Sequence, residues 1–191
     1  LFLEPFHCEE LRNSLYTAIK ELLINAVKAN YKSIYFENYS PKNSASSMIN
    51  YTKALELFKL ELAREEGNYL AQIAMKNNIN AEIIWKLDGD MLHVLIANPV
   101  TMTDIEMSMV QKKLDFARGC TDISEYFLEE EEDPNAEGAG LGLILVIMIL
   151  KSLGGGEELF SIRSHNGKTI ASISIPLTMK TLEQYRMHIA R

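Results

Sequence analysis

The chain has 191 residues, of which 47% are hydrophobic and 24% charged, and its formal net charge is −7. This composition is typical of a soluble globular domain with a sizeable core. The acidic balance, with no basic cluster, argues against a nucleic-acid surface. The two cysteines, Cys8 and Cys120, have no metal-binding spacing, so we expect free thiols in a cytoplasmic protein. The longest apolar run, residues 141–150, is too short to span a bilayer, so we expect no membrane contact by this segment.

The first 80 residues predict mostly helix. Residues 8–30 carry apolar side chains at close to helical period, and residues 32–37 follow as a short strand candidate. A loop rich in serine and asparagine comes next. Residues 48–77 are again helical in pattern, and we expect a break at Gly67.

The remainder predicts two β-hairpins separated by helices. Asp88-Gly89-Asp90 and Asn166-Gly167 are strong turn signals between alternating apolar segments. The predicted elements are strands 81–87 and 91–97, helix 103–117, a loop over 119–137 with an acidic run at 129–133, an apolar helix from Ile144 to the glycines at 154–156, and strands 159–164 and 169–176.

This order predicts an α+β fold, a two-layer α/β sandwich in which helices cover one face of a mixed, mostly antiparallel sheet. We expect a single domain over residues 1–177, with a helical insertion at about 43–80, and a helical tail over 178–191. Since the chain opens on Leu1 rather than Met, we expect it to be a fragment of a longer protein.

A glycine-rich stretch, Glu137-Gly-Ala-Gly-Leu-Gly-Leu143, precedes the apolar helix. Gly138, Gly140 and Gly142 allow a tight turn and a close approach to a ligand, because they carry no Cβ. The free N–H groups at the start of the helix favour an anion such as a phosphate. The alternative is a flexible turn into a buried helix.

A polar stripe interrupts the first predicted helix. Glu21, Asn25 and Lys28 fall at i, i+4 and i+7 and therefore share one face. An amide oxygen can bind magnesium, a carboxylate can bind it or orient a water, and an ammonium can contact phosphates. The alternative is a solvated stripe on an amphipathic helix.

Together these two motifs resemble the histidine-kinase-like ATPase family. Glu21-Leu-Leu-Ile-Asn-Ala-Val-Lys28 is similar to its asparagine box, and Gly138-Ala-Gly-Leu-Gly-Leu143 to its second glycine box. Residues 167–177 look like its closing strand, with Thr169 where adenine recognition is usually supported. The resemblance implies that Asn25 holds magnesium, Glu21 is the catalytic acid/base and Lys28 lies near the phosphates. It also implies that Gly138, Gly140, Leu141 and Gly142 close a lid over the nucleotide.

The sensor-kinase branch fits best, which implies ATP and magnesium as cofactors and transfer of the γ-phosphoryl group to a protein side chain. The acceptor would lie on an upstream domain or a regulatory partner, and a homodimer could form through regions not present here. The other function class is a degenerate nucleotide module that acts as a regulator or scaffold by docking a partner.

Two features depart from the family pattern. Asn98 stands where the first glycine box has an aspartate, and Val100 and Met102 replace its glycines. Asn98 can still accept a hydrogen bond from adenine, though without the strength that charge gives, or it caps the turn before Pro99. The second departure is the insertion between residues 31 and 80, which either covers a bare flank of the core or docks a partner protein.

Overall fold

A computed structural model of the chain describes residues 9–39, 48–63, 68–120, 141–152, 159–181 and 183. It confirms the α+β two-layer sandwich, because helices pack on a four-stranded antiparallel sheet. The elements in these ranges are α1 (Glu9–Tyr39), α2 (Met48–Ala63), α3 (Asn68–Lys76), β1 (Glu82–Asp88), β2 (Met91–Asn98), α4 (Asp104–Gly119), α5 (Leu141–Ser152), β3 (Phe160–His165) and β4 (Lys168–Pro176).

The strand order is β1-β2-β4-β3, and every neighbouring pair is antiparallel. Both predicted hairpins are confirmed. Asn166 and Gly167 have φ angles of 51° and 77°, the left-handed conformation that a two-residue hairpin turn favours and that these residue types tolerate. In the central pair, Asn98 at the end of β2 lies opposite Thr169 in β4. The register therefore places two of the predicted site residues side by side.

The sandwich core lies between the sheet and the helices α1 and α5. Alternate residues of β2 and β4 face it, and α5 is apolar on nearly all sides, as the unbroken hydrophobic run predicts. The fully buried members of this core include Leu11, Ala18, Leu92, Val94, Ile144, Val146, Leu150 and Ile173.

The predicted strand at residues 32–37 is wrong, because α1 continues without a break to Tyr39. Asn30 and Ile34 are both 2% exposed and lie one helical turn apart, so the buried face of the helix extends through this segment. The aromatic and β-branched residues that favour a strand locally pack instead against α2 and α3. Tertiary packing has overridden local propensity here.

The insertion forms a second hydrophobic cluster with the C-terminal half of α1. The helical prediction over residues 48–77 is confirmed as two helices, α2 and α3, and the expected break at Gly67 lies outside the described residues. The buried members of this cluster are Ile34, Tyr51, Leu55, Phe58, Leu70 and Ala74.

The start of helix α5 determines how much of the glycine motif the structure describes. Helix α5 begins at Leu141, so Gly142 lies in its first turn rather than in the preceding loop. Gly138, Gly140 and residues 121–137 lie outside the described residues, as does most of the expected tail at 178–191. In the described parts of the chain, no helix is both long and apolar enough to cross a membrane.

Helix α4 is held to α5 at its C-terminus by one lysine. The Nζ atom of Lys151 donates to the carbonyl oxygens of Ala117, Arg118 and Cys120 at 2.7, 2.9 and 2.9 Å. Carbonyls at a helix C-terminus lack intrahelical partners and carry partial negative charge, so an ammonium group is the complementary cap.

We expect Lys151→Met to lower the free energy of unfolding by about 1–3 kcal/mol, because partly buried carbonyls lose a charged donor while the apolar stem is retained. Urea denaturation at neutral pH measures the loss. The exposed Lys180 provides the control, since Lys180→Met removes the same charge without this contact. Equal urea midpoints of unfolding for Lys151→Met and Lys180→Met would contradict the role given to Lys151.

Candidate functional site

Gly142 brings the glycine motif into contact with the asparagine motif. A Cβ built on Gly142 would lie 2.9 Å from Oε2 of Glu21 and 3.3 Å from Nδ2 of Asn25. The first distance is shorter than a real Cβ contact, so any larger residue at position 142 would displace the ends of the Glu21 and Asn25 side chains. Motifs more than a hundred residues apart in sequence thus form one local site.

The polar stripe of α1 lies at the edge of this contact. Asn25 and Lys28 are exposed, whereas Glu21 is half-buried. Asn25 and Lys28 line a cavity of about 510 Å³, whereas Glu21 and Gly142 are not among its lining residues. Nothing is described of the Leu141 side chain or of Gly138 and Gly140.

The same cavity receives the two predicted residues of the sheet. Asn98 and Thr169 both line it, and both are buried, at 5% and 8% exposure. The structure therefore gathers Asn25, Lys28, Asn98 and Thr169 around one cavity, although they come from α1, β2 and β4.

Asn98 is oriented by a neighbour that sequence reasoning missed. Its Nδ2 donates to Oδ1 of the buried Asn30 at 3.2 Å. This bond uses one of the two N–H donors of the Asn98 amide and ties β2 to α1. No hydrogen bond from the Asn98 side chain to the turn before Pro99 is found among the described residues, so the capping role that the sequence left open is not seen.

Thr169 supports the segment that follows β2. Its Oγ1 donates to the carbonyl of Val100 at 2.6 Å and lies 3.0 Å from Oγ of Ser164. That Ser164 oxygen accepts from the backbone N–H of Met102 at 2.7 Å. Hydrogen bonds with the hydroxyl groups of Thr169 and Ser164 thus hold the backbone of Val100 and Met102 against the sheet.

The cavity is lined by more positive than negative side chains, in a chain whose net charge is −7. Its charged lining residues are Lys28, Lys32, Lys59 and Lys113 on the positive side and Glu37 and Glu106 on the negative side. Three helices, α1, α2 and α4, contribute the lysines. A concave site with this excess of cations attracts anionic ligands and raises their local concentration.

One ion pair within this lining joins three helices. Lys32 Nζ lies 2.7 Å from Oε1 of Glu106, and both side chains are 15% exposed. Tyr51 of α2 accepts from Lys32 at 3.1 Å and donates to Glu106 at 3.3 Å. Glu106 also completes the capping box of α4, since Thr103 N–H donates to its Oε2 at 2.7 Å.

These contacts determine the ionisation of Glu106. Burial acts most strongly and by itself raises the pKa of its carboxyl group. The nearby Lys32 ammonium and the hydrogen bonds from Lys32 and Thr103 act in the opposite direction and together outweigh burial. The pKa of Glu106 therefore lies below its ordinary value of 4.5.

Lys32 could have been found from the sequence and Glu106 only in part, whereas Asn30 could not. The polar stripe of Glu21, Asn25 and Lys28 continues at Lys32 with the same helical spacing, but the strand predicted at residues 32–37 concealed it. Asn30 shows no local sign of contacting β2. Glu106 is recognisable only as the third residue of a capping box after Thr103.

The described residues contain no group of three or more histidine, cysteine, aspartate or glutamate side chains that could hold a metal ion. A metal at this site would therefore depend on Asn25, with Glu21 beside it, and on ligands that arrive with a bound molecule. Magnesium sites often have this form, with few protein ligands supplemented by phosphate and water oxygens.

Comparison with known proteins gives little further guidance. No family model matches the chain. A protein of Treponema pallidum (strain Nichols), described only as an uncharacterized protein, is 26% identical over 179 residues, which is 91% of this chain and 33% of that protein. The chain thus spans about a third of the length of this relative.

We expect Glu106→Gln to reduce stability at neutral pH but much less in acid. A carboxyl group whose pKa is lowered by folding contributes stability above its unfolded pKa, and this contribution is lost as the pH falls through its folded pKa. The difference in unfolding free energy between parent and variant should therefore be largest above pH 4.5 and shrink below it. Urea titrations from neutral to acidic pH measure it, and a difference that does not vary with pH would contradict the ion pair.

Proposed function

We infer that this chain is the nucleotide-binding domain of a protein similar to sensor histidine kinases, which holds magnesium-bound ATP for transfer of the γ-phosphoryl group to a protein side chain. The acceptor would lie on another part of a longer protein or on a partner. A cytoplasmic location and assembly through other regions belong to the same proposal.

The observation that carries this proposal is the contact of Gly142 with Glu21 and Asn25. A Cβ at position 142 would lie 2.9 Å from the Glu21 carboxylate and 3.3 Å from the Asn25 amide, so the glycine is closely packed against two polar side chains rather than set in an open turn. The contact supports a site in which the start of α5, with its free N–H groups, closes on the polar stripe of α1.

The residues present fit magnesium and a nucleoside triphosphate. Glycine at position 142 leaves open the space beside Oε2 of Glu21 that a Cβ would occupy. The Asn25 amide oxygen and the Glu21 carboxylate are the hard oxygen ligands that magnesium prefers. The lysine-rich lining of the cavity supplies charge complementary to phosphates.

Each of these residues has a defined task in the proposed reaction. Asn25 holds the metal, and Lys28 neutralises charge on the phosphates. Glu21 orients or accepts a proton from the attacking group. Bound magnesium would supply charge neutralisation across the transferred phosphoryl group. Positioning and electrostatic stabilisation make up most of the catalysis in phosphoryl transfer, so the domain needs no covalent intermediate of its own.

A second candidate function, a docking module without catalysis, is favoured by the exposed edge of the sheet. Ile83, Ile84, Trp85 and Leu87 of β1 are between 39% and 57% exposed. A cluster of large apolar side chains at the surface is typical of an interaction site. The insertion also presents exposed leucines, Leu57 and Leu60, on α2.

We expect Asn25→Ala and Gly142→Ala each to abolish magnesium-dependent binding of a non-hydrolysable ATP analogue. The first removes a metal ligand, and the second displaces the ends of the Glu21 and Asn25 side chains. Neither change should lower the melting temperature, because the displaced atoms are ends of flexible side chains and alanine is a better helix former than glycine. Calorimetric titration with and without magnesium measures the binding.

Gly119→Ala is the matched control, since a Cβ there meets nothing within 4 Å. Parent-like affinity in Gly142→Ala would remove the main support for the nucleotide site. The Asn25→Ala variant could lose ATP binding and still bind a protein partner as tightly as the parent chain does. That result would favour the docking function over the catalytic one.

We expect Asn98→Ala to lower both stability and ATP affinity, the latter by about 0.5–1.5 kcal/mol for one neutral hydrogen bond. Stability falls because Oδ1 of Asn30 loses its donor inside the protein. Asn98→Asp should recover affinity, because a carboxylate makes a charge-assisted bond. Thermal melting and titration with ATP separate the two effects, and a change in melting alone would exclude Asn98 from the ligand.

A further inference from the structure

Helix α2 of the insertion supplies one wall of the cavity. Leu55, Phe58 and Leu62 recur at helical spacing and all line it. On the other side of the same helix, Leu57 and Leu60 are 48% and 61% exposed. The insertion is therefore more than a cover for a flank of the core.

The cavity extends along the axis of α1. Asn25, Lys28, Lys32 and Phe36 line it in succession. At a rise of 1.5 Å per residue, Phe36 lies about 16 Å beyond Asn25 along the helix. The cavity therefore follows α1 for about three helical turns.

The two ends of the cavity differ in chemistry. The end at Asn25 and Lys28 is polar, whereas the end at Phe36 combines the apolar Phe58 of α2 and Met109 of α4 with the charged Glu37 and Lys59. The ring of Phe58 is held against Tyr35, with centroids 5.7 Å apart and planes tilted by 50°. Its position is thus set by packing rather than by a ligand.

The buried pair of Asn98 and Asn30 falls between these ends, since Asn30 is five residues beyond Asn25 on α1. A ligand with its phosphates at Asn25 and its base at Asn98 would present the base to the apolar side chains of α2. Asn98 carries no charge, so its hydrogen bond to the base is weaker than that of an aspartate. Apolar contact with the base is the remaining source of affinity at this end.

We propose that the stripe of Leu55, Phe58 and Leu62 on α2 is the base-binding wall of the site, so that the insertion determines affinity for the aromatic part of the ligand. This inference rests on the proposed nucleotide binding. It assigns to α2 a role that neither the sequence motifs nor the comparisons indicate.

The test is calorimetric titration of the whole chain, which measures its affinity for ATP and, separately, for adenosine. Phe58→Leu and Leu62→Ala should weaken both ligands by the same factor, about tenfold, which corresponds to ~1.4 kcal/mol. Leu60→Ala, an exposed leucine on the same helix, should leave both affinities unchanged. Lys28→Ala should weaken ATP more than adenosine, because it acts on the phosphates alone.

Each outcome decides between the two proposals. If the parent binds ATP but Phe58→Leu and Leu62→Ala behave like Leu60→Ala, the base-binding wall is overturned and nucleotide binding stands. If the two variants weaken ATP binding but not adenosine binding, the base-binding wall is also overturned, since α2 would then act on the phosphates. If the parent binds no ATP, both proposals fail. Should Phe58→Leu unfold the chain, Leu62→Ala gives the answer alone, because Leu62 is only half-buried.

Discussion

The continuity of helix α1 is the constraint on which the rest of the structure depends. Its 31 residues extend about 46 Å, longer than either hydrophobic cluster could require alone. The N-terminal half packs in the sandwich core, and the C-terminal half packs with α2 and α3. Because one rigid element serves both clusters, the insertion is held in a fixed relation to the sheet, and the cavity between them has a defined shape.

Electrostatics in the cavity follow from the same arrangement. Lys32 comes from α1, Glu106 from α4 and Tyr51 from α2, so the ion pair can form only when all three helices are in place. A buried charge without a partner is costly, and this pairing supplies one for both Lys32 and Glu106. The exposed Lys28 lies on the same helix one turn before Lys32 and lines the same cavity.

The elements predicted correctly are those whose signals are local. Asn166-Gly167 defines its hairpin through backbone conformation alone, and the unbroken apolar run of α5 requires a buried helix in any fold. The segment at residues 32–37 could not be predicted in this way, because its helical state depends on contacts with Tyr51 and Phe58, which come from distant parts of the chain. For the site, spacing along α1 identified Glu21, Asn25 and Lys28. The pairing of Asn98 with Asn30 and the wall supplied by α2 arise only from tertiary packing.

The contact of Lys151 with the end of α4 has a consequence for the connection over residues 121–140. That connection starts from Cys120, whose carbonyl oxygen is bound to α5 through Lys151, and it returns to the same helix at Leu141. The residues on either side of that connection, Cys120 and Leu141, are therefore both anchored to α5. One ammonium group at the far end of α5 thus fixes where the chain leaves α4 relative to the helix at which it returns.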